Sequence, residues 1–460
     1  MFSFKKITSF VLLSIFLVTL GLGCKGPDTT AVINSKKVTL EYWTVYDDVD
    51  ELNKLVTEYE AARPYIQVNV KQIPANEFYQ RLIEALAEDK GPDIISVQNR
   101  ALGGMKSKLA PMPAAVSDTI VQQKGGLVGP SQTAVDTSRT LLTPPQIATE
   151  YVRTVSQDVV MDGKVYGLPL SIDTMGIFYN KDLLDRSGIA QLPTTWTEFQ
   201  AAVRKITKYD SKGKIIQAGT ALGTGNNVSG VDDVLAILFQ QNKTPFVDST
   251  GHPLFNQGDA ANDSSLVTRV LNFYTDFANP LRDTYAWNED QPASLDAFTA
   301  GTTGFFFGYS YHTAAIKARA PQLNFGIMPL LQLDPDNRVN VANYWVQAVT
   351  LKSRHQNEAW GLVDYLTHSA ATKEYLDATG RPTALRRYIV DQEKNLDLAP
   401  FVPDLLTSGS WYKGNNYTAA VQALQGLVHD WLQPMPDNVR SVEWRQTILD
   451  RAAAKIQQTF

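Results

Sequence analysis

Between residues 38 and 97 the hydrophobic period switches back and forth between two values, and few folds accommodate that. Val38-Thr-Leu-Glu-Tyr-Trp43 alternates apolar and polar residues, as a strand with one buried face does. Leu52, Leu55, Val56 and Tyr59 then recur at helical spacing, and Pro64 ends that helix. Ile66-Gln-Val-Asn-Val70 alternates again. Phe78, Tyr79, Leu82, Ile83 and Leu86 make one helix face, with Asn76 expected as its N-cap. Pro92-Asp-Ile-Ile-Ser-Val97 closes the series as a compact buried strand. Strand, helix, strand, helix, strand at this spacing implies right-handed βαβ units and a parallel sheet, hence an α/β fold.

Residues 100–155 carry no comparable pattern. Pro, Gly, Ser, Thr and Gln dominate, with helical patches only from Ile147 to Val155. Strand patterns resume at Lys164–Leu170 and Gly176–Asn180. A helix follows over Trp196–Ile206, where Thr195 and Glu198 have capping-box spacing. Further helices are predicted at Asp232–Asn242, Ser265–Ala278, near His312 and at Glu358–Leu366. Strands are predicted at Phe305–Phe307, Phe325–Met328 and Tyr344–Leu351, with a largely helical C-terminal region.

The N-terminus is a separate problem. Lys5 and Lys6 precede an apolar run from Ile7 to Leu22 that ends at Gly23-Cys24. This is the pattern of a secretory signal, and the run is shorter than a membrane-spanning helix needs. Cys24 is the only cysteine of the 460 residues. Its position resembles the lipobox of bacterial lipoproteins, although Gly21 stands where leucine is usual. That reading gives a signal peptide over 1–23, an acylated Cys24, a tether over 24–37 and a membrane contact through lipid. A plain signal peptide and an uncleaved anchor helix are the alternatives. Beyond Cys24 no disulfide can form, so stability must come from ordinary burial. Net charge is −5 and no basic stripe is present, which argues against nucleic acid as a partner. Aromatic residues are plentiful, and several of the 8 Trp, 19 Tyr and 19 Phe fall in turns rich in Gly and Asn.

Six phrases in order resemble the extracellular solute-binding proteins, family 1, that feed sugar ABC transporters. They are Trp43-Thr-Val-Tyr46; Arg63-Pro-Tyr-Ile-Gln-Val68 with Gly91-Pro-Asp93; Val165-Tyr-Gly-Leu-Pro169 running into Phe178-Tyr-Asn-Lys-Asp-Leu183; Pro193-Thr-Thr-Trp-Thr-Glu198; Gly301-Thr-Thr-Gly-Phe305 leading to Gly308-Tyr-Ser-Tyr311; and Thr379-Gly-Arg-Pro382. The resemblance implies a two-lobed periplasmic-binding-protein-like fold, each lobe a mostly parallel sheet flanked by helices, with three hinge crossings. The crossings are expected near 169–173, 338–343 and 380–385. Lobe one would comprise 38–169 and 343–380, and lobe two 170–342 and 381–460. A solute would lie between the lobes at the carboxyl ends of the strands.

Such a cleft needs aromatic planes to cover sugar faces and planar polar groups to bond the hydroxyl rim. The candidates sit just after strands or at crossings: Tyr46, Asp47, Gln98, Asp173, Tyr309, Tyr311, Tyr344, Trp345, Arg381 and Trp411. Tyr309 and Tyr311 would point the same way in an extended segment. Arg381 could instead brace the hinge, and Trp345 is the foremost stacking candidate. Tyr179, Asn180, Lys181, Asp182 and Trp196 read as structural.

An enzyme is the first rival. The five histidines show no metal spacing, and there is no phosphate loop or dinucleotide fingerprint. Ser310 has His312 where a nucleophile elbow needs glycine. Paired carboxylates for glycoside hydrolysis stay open. The second rival keeps the fold and binds another solute, such as a polyamine held by Asp47, Asp48 and Asp173. The reading adopted is an exported, lipid-anchored binding protein on the outer face of the cytoplasmic membrane. It takes no cofactor and no metal, and hands a sugar or short oligosaccharide to the transmembrane subunits of an ABC permease.

Overall fold

The computed structural model describes residues 36–124, 131–244, 246–248, 251–437 and 439–460. The expected signal peptide, Cys24 and most of the tether lie outside them. Among the described residues two large hydrophobic cores form, each behind its own five-stranded sheet, with a smaller cluster of Phe178, Phe298, Phe306, Ile316 and Phe401 at the second sheet. In the first sheet, strand Val38–Thr44 pairs parallel with Ile66–Gln72 on one side and Ile94–Gln98 on the other. Trp345–Val349 and Leu168–Pro169 complete it. The second sheet places Lys208–Tyr209, Ile215–Thr220, Thr303–Gly308, Gly176–Asn180 and Phe325–Pro329 side by side. In each sheet the strand that enters from the hinge, Trp345–Val349 or Gly176–Asn180, starts at the cleft edge. It therefore runs antiparallel to its neighbours.

Helices cover these sheets with the faces the sequence marks. Leu52, Leu55, Val56 and Tyr59 of helix Val49–Ala62 are buried, as are Phe199, Val203 and Ile206 of Trp196–Ile206. The capping box of Thr195 and Glu198 is formed. Asn180 caps helix Lys181–Arg186 by accepting from the Leu183 amide, and Trp196 is buried with its Nε1 on Gln241, so both are structural as expected. Asn76 is not a cap. Helix Ala75–Ala87 begins one residue earlier, behind Pro74, whose ring already fixes the turn. Trp360 and Trp287 anchor the two cores with no solvent exposure.

The unpatterned stretch 100–155 contains a hairpin, Ala115–Lys124 against Ser131–Thr140, and the helices Pro144–Glu150 and Arg153–Val159. The hairpin is tied down by side chains. Arg63 pairs with Asp118 at 2.5 Å, Arg139 pairs with Asp364, and Asn357 bonds the Ser117 backbone in both directions.

The three crossings meet in one small sheet, Ser408–Gly409, Asn340–Asn343 and Asp173–Thr174. Two of these strands lie at 173–174 and 340–343. The third is at 408–409 and not at 380–385. Gly380 adopts a left-handed conformation (φ 61°) that turns the chain back onto the first lobe. Bridges Ser171–Thr383 and Tyr151–Leu385 hold it there. Ala384, Leu385, Ile389, Leu398, Val402 and Leu405 then pack in the first core. The stretch 384–405 thus departs from the expected lobe-two range 381–460, because these residues find their partners on the other side; only Phe401 among its buried apolar residues packs on Phe178 of the second sheet.

Candidate functional site

Between the two sheets lies a cleft of about 700 Å³, open to solvent and lined from both lobes. Nine of the ten candidates reach it: Tyr46, Asp47, Gln98, Asp173, Tyr309, Tyr311, Tyr344, Trp345 and Arg381. The lobe-one wall is made by strand ends. Trp345 lies opposite Gln98 in register, and Gln98 Nε2 donates to Asn343 Oδ1 at 3.3 Å. Tyr46 is 52% exposed and packs edge-on against Trp345, with centroids 5.1 Å apart.

Asp47 ties these strand ends together. Its Oδ2 accepts from Thr44 Oγ1 at 2.5 Å and Ser96 Oγ at 2.8 Å, with Gln347 Nε2 at 3.4 Å. Tyr42 donates to Gln347 Oε1 at 2.6 Å, and Ser96 Oγ lies 2.6 Å from the same atom, so its one proton is shared between Gln347 and Asp47. One carboxylate oxygen is thereby saturated by lobe-one donors. Asp48 instead caps the following helix by accepting from the Glu51 amide. Arg381 braces rather than reaches: its Nη2 donates to the Tyr46 carbonyl at 2.5 Å.

The lobe-two wall comes from the turn after Thr303–Gly308. Tyr309 and Tyr311 stack, with centroids 5.6 Å apart and planes at 16°. A turn brings them together, not strand alternation, because Tyr311 is already helical (φ −64°, ψ −20°) at the start of His312–Arg319. Gly308 permits the fold-back, since a Cβ there would lie 2.8 Å from His312 Nδ1. That nitrogen accepts from the Tyr309 amide at 2.9 Å, and burial pushes the imidazole down to about 4. Tyr311 is 42% exposed, whereas Tyr309 is buried and donates to Asp233. Asp173, at the first crossing, accepts from Ser310 Oγ at 2.5 Å. Burial lifts its carboxyl to about 6, held back by the Ser310 bonds.

Two candidates behave differently from expectation. Trp411 does not line the cleft; it is buried in the second core, and its Nε1 donates to Asp233 Oδ1 at 3.1 Å. A ring in a loop rich in Ser, Gly and Asn caps something here, but it caps a carboxylate from behind. Tyr344 lines the floor but is 3% exposed, with its hydroxyl committed to Asp158 Oδ2 at 2.7 Å.

Sequence reasoning missed Arg100, Asp232, Asp233 and Tyr417, all of which line the cleft. Arg100 Nη1 lies 2.7 Å from Asp233 Oδ1 and donates to Tyr417 Oη at 2.7 Å, and Tyr417 donates to Asp232 Oδ2 at 2.6 Å. Burial pushes the Asp232 carboxyl up to about 6, reinforced by Asp233 and opposed by Arg100. The available signal was two adjacent acids opening the apolar helix Val231–Gln241, which read equally well as a complement to the helix dipole. Among the described residues no group of His, Cys, Asp and Glu is arranged to hold a metal ion.

A family model for bacterial extracellular solute-binding proteins matches residues 46–373. The multiple sugar-binding protein of Streptococcus mutans is 23% identical over 370 residues, 79% of each chain. The melibiose/raffinose/stachyose-binding protein MelE of Bacillus subtilis is 22% identical over 430 residues, covering 88% of this chain and 89% of that one. Among solved structures, a Thermotoga lettingae ABC transporter solute-binding protein bound with α-D-tagatose superposes with a TM-score of 0.65 at 17% identity. That match covers 91% of this chain and 99% of the other. At such identity the structural likeness speaks for the two-lobed fold.

Proposed function

The chain belongs to the bacterial extracellular solute-binding protein family, and from that premise we propose that it captures a sugar or short oligosaccharide between its lobes for an ABC importer. One observation carries this reading. Aromatic faces stand on both sides of one cleft, Tyr46 and Trp345 on one lobe and Tyr311 on the other, with carboxylate, amide and guanidinium groups between them. Rings cover the C–H faces of a pyranose, while Asp47, Gln98, Asp173 and Asn343 bond its rim and Arg381 braces Tyr46. Tyr309, Tyr344 and Trp411 support that surface from behind. The names of the Streptococcus mutans and Bacillus subtilis relatives point the same way.

Solute binding favours the closed form over the open one, because only the closed form touches the solute from both sides. The closed protein then delivers the solute to a membrane permease, and the protein is exported and held at the outer face of the membrane through acylated Cys24. It binds and releases its solute unchanged. A second reading, a cationic solute such as a polyamine, is favoured by the surplus of acids: Asp47, Asp173, Asp232 and Asp233 face only Arg100 and Arg381 in the cleft. A thermal-shift screen of neutral mono- and oligosaccharides beside putrescine and spermidine decides between them. A saccharide that raises the melting temperature supports the sugar reading, and a response to polyamines alone removes it.

A further inference from the structure

Arg100 belongs to the first lobe by its chain neighbours, since Leu102, Met105 and Leu109 pack in the first core. Its guanidinium nevertheless ends among residues of the second. Nη2 donates to the Ala342 carbonyl of a hinge strand at 3.0 Å, and Nη1 passes on to Asp233 at 2.7 Å, Asp232 at 3.5 Å and Tyr417. Arg100, Asp232 and Asp233 are 1%, 4% and 2% exposed. We infer that Arg100 is a positioning residue that clasps the lobes directly, so that closure is held by a protein–protein ion pair as well as by the solute.

The electrostatics require a cation at this point. Asp232 and Asp233 are adjacent buried carboxylates, and the other groups that bond them here, Tyr309, Trp411 and Tyr417, are neutral donors. If the lobes separated, two like charges would stay in a poorly solvated pocket and a buried guanidinium would lose its partners. Closure therefore gains what separation would cost, independently of the solute's identity.

The backbone beside Arg100 is shaped for the same contact. A Cβ on Gly103 would lie 2.9 Å from the Gly414 carbonyl, and one on Gly104 would clash with the carbonyl of Asn415. Glycine at both positions lets the turn 102–105 seat against the loop 413–415, which follows the third crossing. Asn99 Nδ2 donates to Ser410 Oγ at 2.8 Å, and Lys413 Nζ to the Gln157 carbonyl at 3.0 Å, along the same seam.

Small-angle scattering of the solute-free protein tests the clasp without a known ligand. The wild type should match the compact profile of this structure. Arg100→Met and, separately, Gly104→Val should raise the radius of gyration by on the order of 1 Å, as hinge opening of two lobes does. Arg100→Lys, which keeps the charge without the fork, should fall between. The triple variant Arg100→Met/Asp232→Asn/Asp233→Asn strands no buried charge, so it should fold, unfold cooperatively and still scatter as the open form. A triple variant as compact as wild type, or a solute-free wild type already as extended as Arg100→Met, overturns the inference. Neither result bears on whether a sugar binds.

Discussion

The ring of Tyr46 meets the ring of Trp345 edge-on, with centroids 5.1 Å apart and planes at 62°. Tyr46 is itself fixed through its carbonyl by Arg381. The indole therefore has a ring braced against its edge at the cleft wall, and a stacking surface ordered in advance costs little entropy to use.

Replacing Trp345 by alanine should weaken solute affinity by about 2 kcal/mol or more, roughly 30-fold in Kd. Tyr46→Ala should cost less. The double variant should lose less than the sum, because Tyr46 acts partly through the indole. Calorimetric titration of the three variants reads all of this directly.

The pH dependence of stability contains two opposing contributions. Asp173 has a folded value of about 6, above its unfolded one. The folded state therefore holds an extra proton between about pH 4 and 6, and stability falls as pH rises through that window, by about 3 kcal/mol in all. His312 has a folded value of about 4, below its unfolded one. Its contribution is fully present above about pH 6.5 and is lost as pH falls. The two largely cancel in the wild type, so variants must separate them. Asp173→Asn should stabilise more at about pH 7.5 than at about pH 4.5, and His312→Gln should help more at the acid end. Thermal unfolding at both values checks the signs.

Trp411 offers a contrast with Trp345. Trp411→Phe keeps an aromatic body in the second core but removes the Nε1 donor from Asp233. It should destabilise the protein by roughly 1.5–3 kcal/mol while leaving solute affinity close to wild type. A large loss of affinity with unchanged stability would return Trp411 to the ligand surface. Urea unfolding and calorimetry on the same sample make the comparison.

Thr195→Ala should cost about 1 kcal/mol, since its side chain accepts from the Glu198 amide and Glu198 bonds back to the Thr195 amide. Urea unfolding of that variant measures it, and solute affinity should not move.

The Thr195 cap illustrates what was legible in the sequence: signals carried by residues close in the chain. The period switches of 38–97 and the strand ends bearing Tyr46, Asp47 and Gln98 are local patterns, whereas the turn that stacks Tyr309 on Tyr311 read as extended chain. What escaped depends on distant partners. Arg100 has no meaning until Asp232 and Asp233 arrive 132 and 133 positions later in the chain. The hairpin Ala115–Thr140 is fixed by Arg63, Asn357 and Asp364 rather than by its own pattern. The third crossing was misplaced because Gly380 reads equally as a hinge turn and as a helix C-cap. Only the burial of Leu385, Leu398 and Leu405 in the first core separates those meanings.

The most direct test of sugar capture is calorimetric titration of the wild-type protein with gluco-, galacto- and manno-configured saccharides of one to four units. The account predicts that at least one binds one-to-one with a Kd of about 10 μM or tighter, and that Trp345→Ala and Tyr311→Ala each abolish most of that affinity. Titrations in which no saccharide binds, or in which both variants bind it as tightly as wild type, would contradict it.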